Sequence, residues 1–119
     1  MCYRNDVHLL CSHSIGSELI AATANAPDGC RPHIKNGLNT IYLFWDFVVW
    51  DRYICDWCKD VYDILQKYDD SHIEGYKLIR IGEALIDIEE EMNDFGEMHF
   101  NEDFYVVRTV NLGTDFVSL

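Results

Sequence analysis

Between Ser71 and Gly96 the apolar residues Leu78, Ile81, Leu85, Ile88, Met92 and Phe95 recur at alternating spacings of three and four. That period puts them on one face of an α-helix. Ahead of them "SHIE", Ser71 to Glu74, has the form of a capping box, and Gly96 supplies a stop. The spacing predicts one long amphipathic helix. Gly75 and Gly82 each weaken it by about 1 kcal/mol relative to alanine, so a second reading makes "YKLIRI" (Tyr76 to Ile81) a strand and starts the helix near Gly82.

Residues 83 to 103 of this region carry nine carboxylates and no Lys or Arg. On a helix, Glu83, Asp87, Glu90 and Asp94 form a stripe opposite the apolar seam, flanked by Glu89 and Glu91. At about 1.5 Å per residue the stripe is roughly 16 Å long. Like charges at helical neighbours cost roughly 0.2 to 0.5 kcal/mol per pair, so such a stripe gives up stability that Glu/Lys alternation supplies. A use for the field is a basic protein surface, with carboxylates standing in for phosphates. Glu83, Asp87, Glu90 and Asp94 are the primary contact candidates, and Glu91, Glu97, Glu102 and Asp103 the secondary ones. The competing reading is a solvated helix face in an acidic protein.

The rest of the composition bears on that choice. A chain of 119 residues with 49% hydrophobic content suits one globular domain spanning residues 1 to 119. A formal charge of −12 disfavours direct contact with nucleic acid or an anionic membrane and attracts basic partners. The first seventeen residues lack a signal-peptide pattern, and the odd number of cysteines (2, 11, 30, 55, 58) favours thiols in a reducing compartment, so a cytoplasmic location is expected.

Elsewhere, "SELIAATANA" predicts a helix over roughly 15 to 25, and residues 25 to 39, with Pro27, Gly29, Pro32 and Gly37, read as a loop. Ile54, Trp57, Cys58, Val61, Leu65 and Tyr68 share one face of a helix over about 52 to 69. "IYLFWDFVVW", Ile41 to Trp50, fits a strand by composition and a helix by spacing. "EMHF", "FYVVRTV" and "DFVSL" suggest short strands. The expected architecture is α+β: amphipathic helices followed by a C-terminal antiparallel β-meander. A homodimer through that meander or through residues 41 to 50 is a further expectation.

Motifs for chemistry are sparse. "CDWC", Cys55 to Cys58, has dithiol spacing, yet Asp51, Asp56 and Asp60 oppose thiolate formation. Cys11, His13, Cys30 and His33 supply zinc-type ligands without a repeated knuckle. A zinc-stabilised or thiol-active protein is therefore the rival reading, beside two packed thiols and surface imidazoles. Phosphate-binding glycine loops and a G-x-S-x-G nucleophile motif are absent. The sequence thus reads as a non-catalytic protein, with no cofactor or metal assigned. Its expected role is to bind and neutralise a basic, nucleic-acid-processing protein, in the manner of a phage DNA mimic or a nuclease-toxin immunity protein.

Overall fold

The computed structural model describes residues 4–51, 53, 55–83, 87–100, 105–107 and 109–111. Five strands build one antiparallel sheet: β1 (Asn5–Ser12), β2 (His33–Asn36), β3 (Thr40–Val48), β4 (Tyr76–Ile81) and β5 (Ile88–Met92), in the order β2-β3-β1-β4-β5. Helices α1 (His13–Thr23) and α2 (Asp56–Lys67) pack together over one face, and the short α3 (Asp94–Phe100) lies against β4. Strands β6 (Tyr105–Val107) and β7 (Thr109–Asn111) form a separate hairpin.

The central strands carry apolar side chains on both faces. Val7, Leu9, Cys11, Ile41, Leu43, Trp45 and Leu78 meet Ile15, Leu19, Cys58, Val61 and Leu65 of the two long helices. On the reverse face Leu10, Tyr42, Ile79 and Ile81 meet Phe100, with Phe95 beside them. Strands covered on both faces lose the apolar/polar alternation that marks a half-exposed sheet. Residues 41 to 48 are accordingly a strand although their spacing also fits a helix. Strand β3 is flanked by β1 on one side and, over Ile41–Phe44, by β2 on the other.

The same physics overturns the predicted long helix. Tyr76–Ile81 is strand β4 and Ile88–Met92 is strand β5, paired antiparallel with Ile81 opposite Ile88 and Lys77 opposite Met92. Apolar residues of two strands had supplied the helix-like spacing; Leu85 lies outside the described residues. The second reading is right about "YKLIRI" as a strand and wrong about a helix after Gly82. Ser71 Oγ does accept from the Glu74 amide (3.0 Å), but this turn feeds a strand.

The order of elements also differs from expectation. A strand opens the fold and the helices are interspersed, so helices followed by a C-terminal meander is not the architecture. "EMHF" belongs to α3, "FYVVRTV" overlaps the β6–β7 hairpin, and "DFVSL" lies outside the described residues. Helix α1 and helix α2 match the two shorter predicted helices within a few residues. The loop expected over 25 to 39 contains the edge strand β2.

Close backbone approach explains two glycines that a helix would not want. A Cβ on Gly96 would stand 2.0 Å from the Tyr76 carbonyl oxygen, and one on Gly75 would stand 2.8 Å from the Gly96 nitrogen. Both positions let α3 press onto the start of β4. Near the other end of the sheet, Asp46 and Phe47 together stand opposite Asp6, a β-bulge. Phe47 has φ +53°, and its amide donates to Asp6 Oδ1 at 2.9 Å, which offsets a left-handed conformation costing about 1 kcal/mol or more.

Candidate acidic interface

The predicted stripe of Glu83, Asp87, Glu90 and Asp94 does not exist, because those residues occupy a turn, a strand and a helix start. Two groups replace it. In the first, Arg80 on β4 donates to Asp87 Oδ1 and to Asn5 Oδ1, both at 2.8 Å, with Glu89 Oε2 at 3.7 Å. Only 17% of the Arg80 side chain is exposed, so this cation is held inside the rim of the sheet. Its hydrogen bond lowers the Asp87 carboxyl below the usual range. Glu83 accepts from the Arg4 backbone amide at 3.2 Å. These carboxylates already have partners within the chain.

The second group surrounds a cleft of about 540 Å³ lined by Asp69, Asp70, Tyr76, Glu90, Glu91, Met92, Asn93 and Asp94. A neighbouring recess of about 200 Å³ shares Asp69, Tyr76 and Glu91 with it. Five carboxylates thus line this edge without a Lys or Arg among the described lining residues. Strand β5 lies at the end of the sheet, so Glu90 and Glu91 project to opposite faces of an edge strand, paired with Ile79 and Leu78 respectively. Charged side chains on an edge strand also discourage pairing with another copy of itself.

Asn93 positions this group. It is 5% exposed, and its Oδ1 accepts from the amides of Tyr76 (3.2 Å) and Gly96 (2.8 Å). Its Nδ2 donates to the carbonyls of Tyr68 (2.8 Å) and Glu74 (3.0 Å). One side chain therefore joins the end of α2, the turn before β4 and the start of α3, and it brings Asp69 and Asp70 beside Glu90 and Asp94. The Tyr76 hydroxyl donates to Asp69 at 2.5 Å; burial and this bond raise the phenol well above its usual value. No known family, characterised protein or solved structure matches the chain.

Asp69 and Asp70 were absent from the sequence expectation, and no charge periodicity links them to β5. Asn93 before "DFGE" carries a legible helix-cap signal, but not its reach to Tyr68 and Glu74. Glu97 is exposed on α3, while Glu102 and Asp103 lie outside the described residues. Among the aromatic residues, Trp45 and Trp50 are buried and Trp57 is packed against them, whereas Tyr53 is 89% exposed.

The cysteine and histidine sets do not converge either. Cys11 lies on the α1/α2 face of the sheet, while His33, beside Phe44, is on the reverse face. His13 is exposed at the start of α1, and no group of three or more metal-ligating side chains occurs among the described residues. Burial pushes the Cys11 and Cys58 thiols up to about 12, which suppresses the thiolate. Cys55 and Cys58 both direct their sulfur at the Val49 carbonyl, at 3.7 and 3.9 Å. No helix among the described residues is long and apolar enough to cross a membrane.

Proposed function

We propose that this protein is a non-catalytic, cytoplasmic binding protein that covers and neutralises a basic, nucleic-acid-processing protein. One observation carries the reading: Asp69, Asp70, Glu90, Glu91 and Asp94 gather on one cleft at a sheet edge with no cation among its described lining. A cleft of one sign focuses the field and speeds encounter with the opposite sign. The partner's Lys and Arg side chains enter the cleft, and the field of a −12 chain steers them there. Glu83 and Asp87 belong to the internal pairs and contribute little.

The test is affinity capture from a nuclease-rich bacterial lysate. It compares wild type, the exposed triple variant Asp70→Lys, Glu90→Lys, Asp94→Lys, and the single variant Glu83→Lys. A basic nucleic-acid enzyme held by wild type and Glu83→Lys, released by salt and lost by the triple variant, is the expected result. Equal capture by all three sinks the proposal.

A further inference from the structure

Cys55 and Cys58 bracket the start of α2. Cys55 precedes the first helical residue and its carbonyl accepts from the Lys59 amide at 3.1 Å, so both α-carbons lie on the first helical turn. Residues three apart on such a turn have α-carbons about 5 Å apart, inside the range of roughly 4.4 to 6.8 Å that a disulfide spans. The side chains point the same way. Sγ of Cys55 and Sγ of Cys58 stand 3.7 and 3.9 Å from the Val49 carbonyl oxygen, and the two thiols are within hydrogen-bonding reach of each other. A thiol is a weak donor, so these contacts leave both sulfurs free to rotate together.

The two sulfurs differ in access. Cys55 is half-buried and lines a recess of about 440 Å³ between the end of α1 and the start of α2, with Asn25, Pro27 and Asp60 among its walls. Cys58 is 0% exposed and belongs to the core. Burial raises the Cys58 thiol, which leaves the reduced form without the stabilisation that ionisation gives a low-pKa dithiol, and so favours the disulfide. Cys11 faces the Ile41 carbonyl instead. Cys30 is a half-buried thiol close enough to act on Cys58 electrostatically, which makes it the competing partner.

We propose that Cys55 and Cys58 form an oxidation site, at which a peroxide converts the two thiols into an intrachain disulfide across the first turn of α2. With hydrogen peroxide, the more accessible Cys55 sulfur attacks, the O–O bond breaks and water leaves, making Cys55 a sulfenic acid. The Cys58 sulfur then attacks that sulfur. The S–O bond breaks, the S–S bond forms and the Cys58 proton departs in a second water. Two thiols and one hydrogen peroxide thus become one disulfide and two waters. The site is separate from the β5 cleft and does not depend on the function proposed for it.

Trypsin cuts after Arg52 and Lys59, so one peptide, Tyr53 to Lys59, holds both cysteines. The test treats the folded, reduced chain with equimolar hydrogen peroxide, quenches it, alkylates the remaining thiols in urea and maps the digest by mass spectrometry. That peptide is expected to be two hydrogens lighter than its reduced form, to carry no alkyl group, and to be restored by dithiothreitol, with Cys11 still alkylated. Cys58→Ala is expected to stop at the sulfenic acid, which dimedone traps on Cys55. Cys55→Ala is expected to leave Cys58 fully alkylated.

Three results overturn the inference: a peptide that stays alkylated at both cysteines, a bridge from Cys30 to either residue in its place, or a bridge that forms only once the chain is unfolded. The wild-type map decides among these even where a variant fails to fold.

Discussion

Asp87 and Glu90 stand three residues apart in one acidic stretch, yet Asp87 lies 2.8 Å from the Arg80 guanidinium and Glu90 projects at the open edge of the sheet. The first is part of the structure's own charge balance. The second is exposed at the cleft, and the cation that feels its charge is the buried Lys77 of β4 rather than a hydrogen-bonded guanidinium. Identical chemistry in the sequence becomes structural in one place and available in the other, and the sheet register makes the difference by placing Arg80 opposite Glu89 rather than Glu90.

The largest test of this contrast removes the residue that assembles the available group. Asn93→Ala is expected to cost about 3 kcal/mol, since it strips partners from two buried amides and two carbonyls. Urea denaturation measures it, and a cost under about 1 kcal/mol means that the turn at Asp69 and Asp70 is held by something else.

Acid separates the two halves from the rest of the core. Burial lowers the His8 pKa to about 4, against an ordinary 6.5 and despite the neighbouring Asp6 carboxylate. The neutral imidazole stacks on Phe44 at 4.6 Å and hydrogen-bonds the Tyr42 hydroxyl through Nδ1 at 2.6 Å. Because the unfolded chain protonates this imidazole first, stability is full above about pH 6.5 and falls as pH drops toward 4, by on the order of 3 kcal/mol. His8→Phe is expected to flatten that limb in pH-dependent unfolding. Asp87, with its lowered pKa, acts only in a more acidic window: its contribution is present above its ordinary value of 3.8 and is lost below it. An unaltered limb in His8→Phe assigns the acid sensitivity to the carboxylates instead.

The smallest effect is the most direct comparison. Asp87→Lys places a cation beside Arg80 and is expected to cost about 1 kcal/mol, a modest figure because Asp87 is 40% exposed and water screens the pair. Glu90→Lys is expected to leave stability within about 0.5 kcal/mol of wild type or to raise it. Matched thermal and urea unfolding of the two variants decides this. Equal losses erase the distinction between the halves.

Helix α2 was legible in the sequence because one of its faces meets solvent, which leaves Asp56, Lys59, Asp60 and Asp63 to mark the outside. Strands β3 and β4 were not equally legible. With α1 and α2 on one face and α3 on part of the other, "IYLFW" carries apolar groups at every position and "YKLI" is interrupted only by the buried Lys77, and a pattern without alternation has no period of two to detect. Gly75 was a signal read as a weakness of a helix, when it marks the approach of α3 to β4.

The sequence by itself determined the α+β content, the large negative charge and the amphipathic course of α2, because these follow from composition and from residues within a few turns of one another. Only the tertiary structure decided which carboxylates meet Arg80 and which meet Asp69 and Asp70. Those neighbours come from separate segments, joined by strand register and by the four hydrogen bonds of Asn93. A charge acts through its distance to other charges, and that distance is set when the chain folds.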